Sequence, residues 1–105
     1  PDERLGVNCA GFKALLAAVE RGRTWVKMSA GFRAPSREAA RSYAQALLRV
    51  SGGERLMWGS DWPFAAFEDK ATYARAVADL HDWVPDAATR RLIGGDTPMR
   101  LYFGA

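Results

Sequence analysis

The chain has 105 residues, 49% of them hydrophobic, with 10 glycines and a net charge of +3 from 15 Lys and Arg against 12 Asp and Glu. That length suits one globular unit burying roughly 65% of its extended-chain surface, and it falls well short of the roughly 250 residues of a complete (β/α)8 barrel. The charges are interspersed and no basic run is interleaved with aromatics, so nucleic acid is not an expected partner. No run approaches roughly eighteen apolar residues, which leaves no membrane span to expect, and Pro1-Asp2-Glu3-Arg4 is unlike a signal peptide. Cys9 is the one cysteine, so no intrachain disulfide framework exists and a reducing cytoplasm is the expected location.

Residues 1–10 read as loop. Phe12, Leu15, Leu16 and Val19 then recur at helical spacing, which predicts an amphipathic helix over 11–21 that Gly22 stops. Residues 24–28, rich in aromatic and β-branched side chains, predict a buried strand, with 29–35 as its exit loop. Ser36 is a helix cap, and Ala40, Tyr43, Ala44, Leu47 and Val50 predict a second helix as far as Ser51-Gly52-Gly53. A second strand is predicted over 55–59. After an irregular stretch, Tyr73, Val77, Leu80 and Val84 mark a third helix that ends before Pro85. A shorter helix over 86–93 should stop at Gly94-Gly95, and a last turn with Pro98 at its start should run to Tyr102. Strands alternating with helices of this length predict βα units feeding a parallel sheet. Two parallel strands alone leave apolar edges open, so the 105 residues by themselves are expected to self-associate.

The segment Leu56-Met57-Trp58-Gly59-Ser60-Asp61-Trp62-Pro63-Phe64 carries the functional signal. An apolar strand runs into a small-residue turn and ends in one carboxylate between bulky groups, which is how a TIM barrel presents a catalytic acid at the C-terminal face. Pro63 lacks an amide donor and biases Trp62 away from helix, so the strand ends here. Asp61 is either that catalytic carboxylate or the side chain of a local turn that caps nearby amides. Lys27 shares strand parity with Trp25 and Ser29, so it either reaches the barrel mouth or serves as an ion-pair partner within a barrel. Arg33, in the exit loop, is either a clamp for an anionic substrate or a solvated charge. Trp62 and Phe64 are candidates for pocket walls, whereas Trp58 has the opposite parity to Asp61 and should pack beneath helices. His81, late in the third helix, reads as a surface or helix-end residue.

Trp25-Val26-Lys27-Met28-Ser29-Ala30-Gly31, the Trp58-Gly59-Ser60-Asp61-Trp62-Pro63 string, Trp83-Val84-Pro85-Asp86 and Thr97-Pro98-Met99-Arg100-Leu101-Tyr102 together resemble the C-terminal part of an amidohydrolase-related protein. In that branch of the metal-dependent hydrolases lie lactone and pyrone-dicarboxylate hydrolases. The resemblance implies an α/β fold in which residues 1–105 are the C-terminal portion of a (β/α)8 TIM barrel: its last two β/α units, with strands seven and eight at 24–28 and 55–59, plus C-terminal helices. It implies that Asp61 is the eighth-strand aspartate, acting as general base toward water, as ligand to a divalent metal such as zinc, or as both. Arg33, Lys27 and Trp62 would then bind a small, anionic substrate, a cyclic ester or amide. Decarboxylation on the same scaffold is the other enzymatic reading, and a non-catalytic, self-associating piece is the third. Two departures stand out. The family's first-strand His-x-His pair and the histidine of the strand preceding these two are not among these residues, so the polypeptide as given is expected to be inactive. At the other end, Phe103-Gly104 inverts the expected Gly-Phe order.

Overall fold

A computed structural model describes residues 4–104; residues 1–3 and 105, the ends of the predicted 1–105 unit, lie outside it. Helix α1 (Ala10–Glu20) forms where the apolar residues recur at helical spacing. Phe12 and Val19 are buried, and Leu15 and Leu16 pack against the same core. Gly22 takes a φ of 84°, a left-handed conformation open to glycine, and turns the chain toward strand β1 (Val26–Met28). Ser36 caps α2 (Arg37–Ser51), its Oγ accepting the Ala39 amide at 3.0 Å, and Gly52 closes the helix in the left-handed region.

Strand β2 (Leu56–Trp58) lies parallel to β1, with Val26 opposite Leu56, Lys27 opposite Met57 and Met28 opposite Trp58. This is the parallel β–α–β unit that the alternation of elements predicts. Both strands are shorter than predicted. The flanking bonds are those from the Val26 amide to the Arg55 carbonyl at 2.9 Å and from the Gly59 amide to the Met28 carbonyl at 3.1 Å. Among the described residues the sheet consists of these two strands.

Thr72 caps α3 (Tyr73–Trp83), its hydroxyl accepting the Arg75 amide at 3.1 Å. The Arg41 guanidinium grips the Asp82 carboxylate through Nε at 3.1 Å and Nη2 at 2.8 Å, which ties α2 to α3. Asp86 caps α4 (Ala87–Arg91), and the hydroxyl and then the amide of Thr89 hold its carboxyl below the ordinary carboxylate range. The core lies between the sheet and these helices. Leu56, Ile93, Val19 and Val84 are its largest fully buried side chains. Trp58 packs against it from β2, on the helix side, as its parity predicts.

Two predicted boundaries are corrected. Residues 1–10 are not all loop, because Gly6–Asn8 form a short 3-10 turn and α1 already begins at Ala10. One turn of that kind is too short to leave a hydrophobic period in sequence. Gly94-Gly95 does not stop the helix after Pro85. The chain passes through a π-helical segment, Leu92–Asp96, straight into α5 (Thr97–Phe103). Packing overrides the glycine penalty of about 1 kcal/mol. Ile93 is fully buried ahead of the glycines, and behind them the buried Thr97 hydroxyl donates to the Gly53 carbonyl at 2.8 Å. No helix among the described residues is long and apolar enough to cross a membrane.

Candidate functional site

The loops that leave β1 and β2 at their C-terminal ends meet. After β1, Ala30 adopts φ 57° and opens a 3-10 turn, Gly31–Arg33. A Cβ on Gly31 would sit 2.6 Å from Cζ2 of the buried Trp83, so only glycine lets this turn press onto α3. That close approach sets where Arg33 emerges. After β2, Gly59 serves the same purpose for Lys27, since a Cβ there would lie 2.9 Å from Lys27 Cδ. The Lys27 methylenes therefore run over the end of β2, and the residue itself is exposed. No ion pair of Lys27 with a carboxylate is found among the described residues.

Asp61 stands in the left-handed region at φ 62°, a conformation that aspartate tolerates better than most residues. The turn it begins supplies its own hydrogen bonds. The Trp62 amide donates to Ser60 Oγ at 3.2 Å, Pro63 has no amide, and the Phe64 amide donates to the Asp61 backbone carbonyl at 2.8 Å. Every amide that a local capping role would use is thus accounted for without the Asp61 carboxylate. Instead that carboxylate faces Arg33, with Oδ2 3.8 Å from Nε. The two residues are 47% and 39% exposed, so the pair is loose, solvated and open to a third group.

Arg33 is held from other directions too. Its Nη2 donates to the Ala65 carbonyl at 2.9 Å, and its guanidinium carbon lies 4.8 Å from the centre of the Phe67 ring and 5.3 Å from that of Phe32. A groove of about 480 Å³ between α1, β1 and α2 has an apolar body that includes Phe12, Met28 and Tyr43, with Lys27 and Arg33 also lining it. Asp61 does not line this groove, whose charged lining residues are the two cations, a lining that suits an anionic group beside an apolar one.

Of the residues singled out from sequence, the structure brings Asp61 and Arg33 together and sets Lys27 at the end of the adjoining strand. Trp62 points into solvent at 71% exposure, while Phe64 is buried at 6% and packs inside rather than walling a pocket. His81 is exposed on the last turn of α3, with Nδ1 3.1 Å from the Val77 carbonyl oxygen. The sequence reading missed the cluster of Phe32, Phe64 and Phe67. Three phenylalanines lying in loops, two of them three residues apart, were the available signal.

The described residues do not by themselves complete a divalent-metal site. A zinc site takes at least three protein ligands, and among the described residues no group of three His, Cys, Asp or Glu is placed to hold one. Asp61 has a guanidinium beside it in place of further donors.

Comparison with known proteins shows what the chain is similar to. The family model described as Amidohydrolase (Amidohydro_2) matches residues 1–104. The chain is 31% identical over 107 residues to a 4-sulfomuconolactone hydrolase of Hydrogenophaga intermedia, covering 92% of this chain and 34% of that protein. It is 28% identical over 95 residues to a D-galactarolactone isomerase of Agrobacterium fabrum (strain C58 / ATCC 33970), covering 85% of this chain and 32% of that one. Among solved structures it superimposes, with a TM-score of 0.84 and 36% identity, on a Pseudomonas putida protein assigned as a 2-pyrone-4,6-dicarboxylic acid hydrolase, covering 96% of this chain and 39% of the other. The chain thus spans about a third of the length of the curated relatives it matches.

Proposed function

We propose, from the fact that this chain belongs to the amidohydrolase family, that it forms the seventh and eighth β/α units and the C-terminal helices of a (β/α)8 barrel. The complete enzyme then hydrolyses a small anionic lactone, with Asp61 as general base. One observation carries this reading: the Asp61 carboxylate is released from its own turn and set beside a guanidinium at the C-terminal end of a parallel strand. In the reaction, Asp61 takes a proton from water while the oxygen adds to the ring carbonyl. The tetrahedral adduct collapses with cleavage of the ring C–O bond, and the proton on Asp61 passes to the departing oxygen, giving a ring-opened hydroxy acid. Arg33 and Lys27 hold the substrate's anionic groups.

The named relatives support a lactone bearing acid groups, since sulfomuconolactone and pyrone dicarboxylic acid are both anionic rings. Product analysis of the complete enzyme with carboxylated lactones tests the assignment. A ring-opened acid is the expected product. Release of carbon dioxide would make the protein a decarboxylase, and a rearranged lactone would make it an isomerase like its Agrobacterium relative.

The 105 residues alone should neither turn over such a lactone nor stay monomeric. One catalytic carboxylate is present, and the two strands pair only with each other. Sedimentation velocity is expected to find species larger than a monomer. A compact, cooperatively unfolding monomer would overturn the self-association.

A further inference from the structure

We infer that the cluster of Phe32, Phe64 and Phe67 is the device that positions Asp61, with Phe64 as the positioning residue; the inference rests on the reading of Asp61 as general base. Past Gly59 the chain has neither strand nor helix until Tyr73. Within that stretch Asp61, Phe64 and Ala66 all take positive φ, at 62°, 62° and 69°. Side-chain-bearing residues adopt this region at a conformational cost, so the segment keeps its shape only where other contacts impose it.

Those contacts are the rings. Backbone bonds lead from the Phe64 amide to the Asp61 carbonyl, from the Phe67 amide to the Phe64 carbonyl, and from the Ala71 amide to the Phe67 carbonyl. Each turn therefore begins on the residue that closed the one before it. At two of these junctions a phenylalanine docks on Phe32: Phe64 edge-on at 5.8 Å and 86°, Phe67 tilted at 5.1 Å. Phe32 belongs to the turn that carries Arg33. Asp61 and Arg33, far apart in sequence, are thus each fastened to the same aromatic cluster. Phe64 is its buried member, three residues from the carboxylate, and touches no part of the open groove. Removing its ring leaves the chemistry of Asp61 intact and frees its placement, and a misplacement of about 1 Å is enough to cost about 10²-fold in rate.

A mutant cycle on the complete enzyme separates positioning from plain stabilisation. Phe64→Leu, which keeps apolar volume but loses the ring, should lower kcat at least about tenfold with KM changed much less. In an Asp61→Asn background the same substitution should cost little more, because a base that cannot act has no position to lose. Equal losses in the two backgrounds, or an unchanged kcat in Phe64→Leu, would overturn the inference. Full activity in Asp61→Asn alone would show that the base assignment had failed, an outcome distinct from a slow Asp61→Asn with equal Phe64 losses. If the circular dichroism melt shows Phe64→Leu unfolded, Phe67→Leu, partly buried at the far end of the cluster, runs the same cycle with the same expected pattern.

Discussion

Replacing Asp61 with Asn in the complete enzyme is expected to lower kcat by about 10² to 10⁴, the usual contribution of general acid–base catalysis, while KM for an anionic lactone changes little. The reason lies in the turn. Asn keeps the volume and tolerates the left-handed φ that Asp61 adopts, and the turn's amides are bonded to Ser60 Oγ and to a backbone carbonyl rather than to the Asp61 side chain. The substitution therefore removes the proton acceptor and the charge that faces Arg33, and leaves the turn's own bonds in place. Steady-state kinetics beside a thermal melt check it. Wild-type turnover in a folded Asp61→Asn enzyme would remove this residue from the mechanism and with it the main support for hydrolysis.

Arg33→Met is expected to raise KM for a carboxylated lactone by about tenfold to a hundredfold, since hydrogen bonds to charged groups are worth about 1.5 to 3 kcal/mol each. Turnover should fall as well. From sequence, Arg33 is either a clamp for substrate or a solvated charge, and as a clamp its loss would largely spare kcat. In the structure it also bonds the Ala65 carbonyl, lies over Phe67 and faces the Asp61 carboxylate, which couples the clamp to the base. Arg33→Lys sharpens the test, because it keeps the charge but loses the planar fork. A KM unchanged in both variants would show that Arg33 does not meet the substrate's anion.

The sequence by itself determined the order of the main elements and their parallel pairing. Phe12, Leu15, Leu16 and Val19 bury one face of α1, and Ser36 and Gly52 bound α2, because periodicity and capping are local properties that a chain carries wherever it folds. Asp61 stands out in the sequence for the same reason, as a lone acid where an apolar run stops, and the proposed role rests on it. The tertiary structure alone decided three other matters. It carried the helix through Gly94-Gly95, because Ile93 and Thr97 gain more from burial than the glycines cost. It moved Phe64 from pocket wall to buried anchor by bringing Phe32 against it across two loops. It also set Arg33 beside Asp61. Spacing along a chain cannot report contacts between residues about thirty positions apart, which come into being only when the parallel pairing of β1 and β2 draws their exit loops to the same end of the sheet.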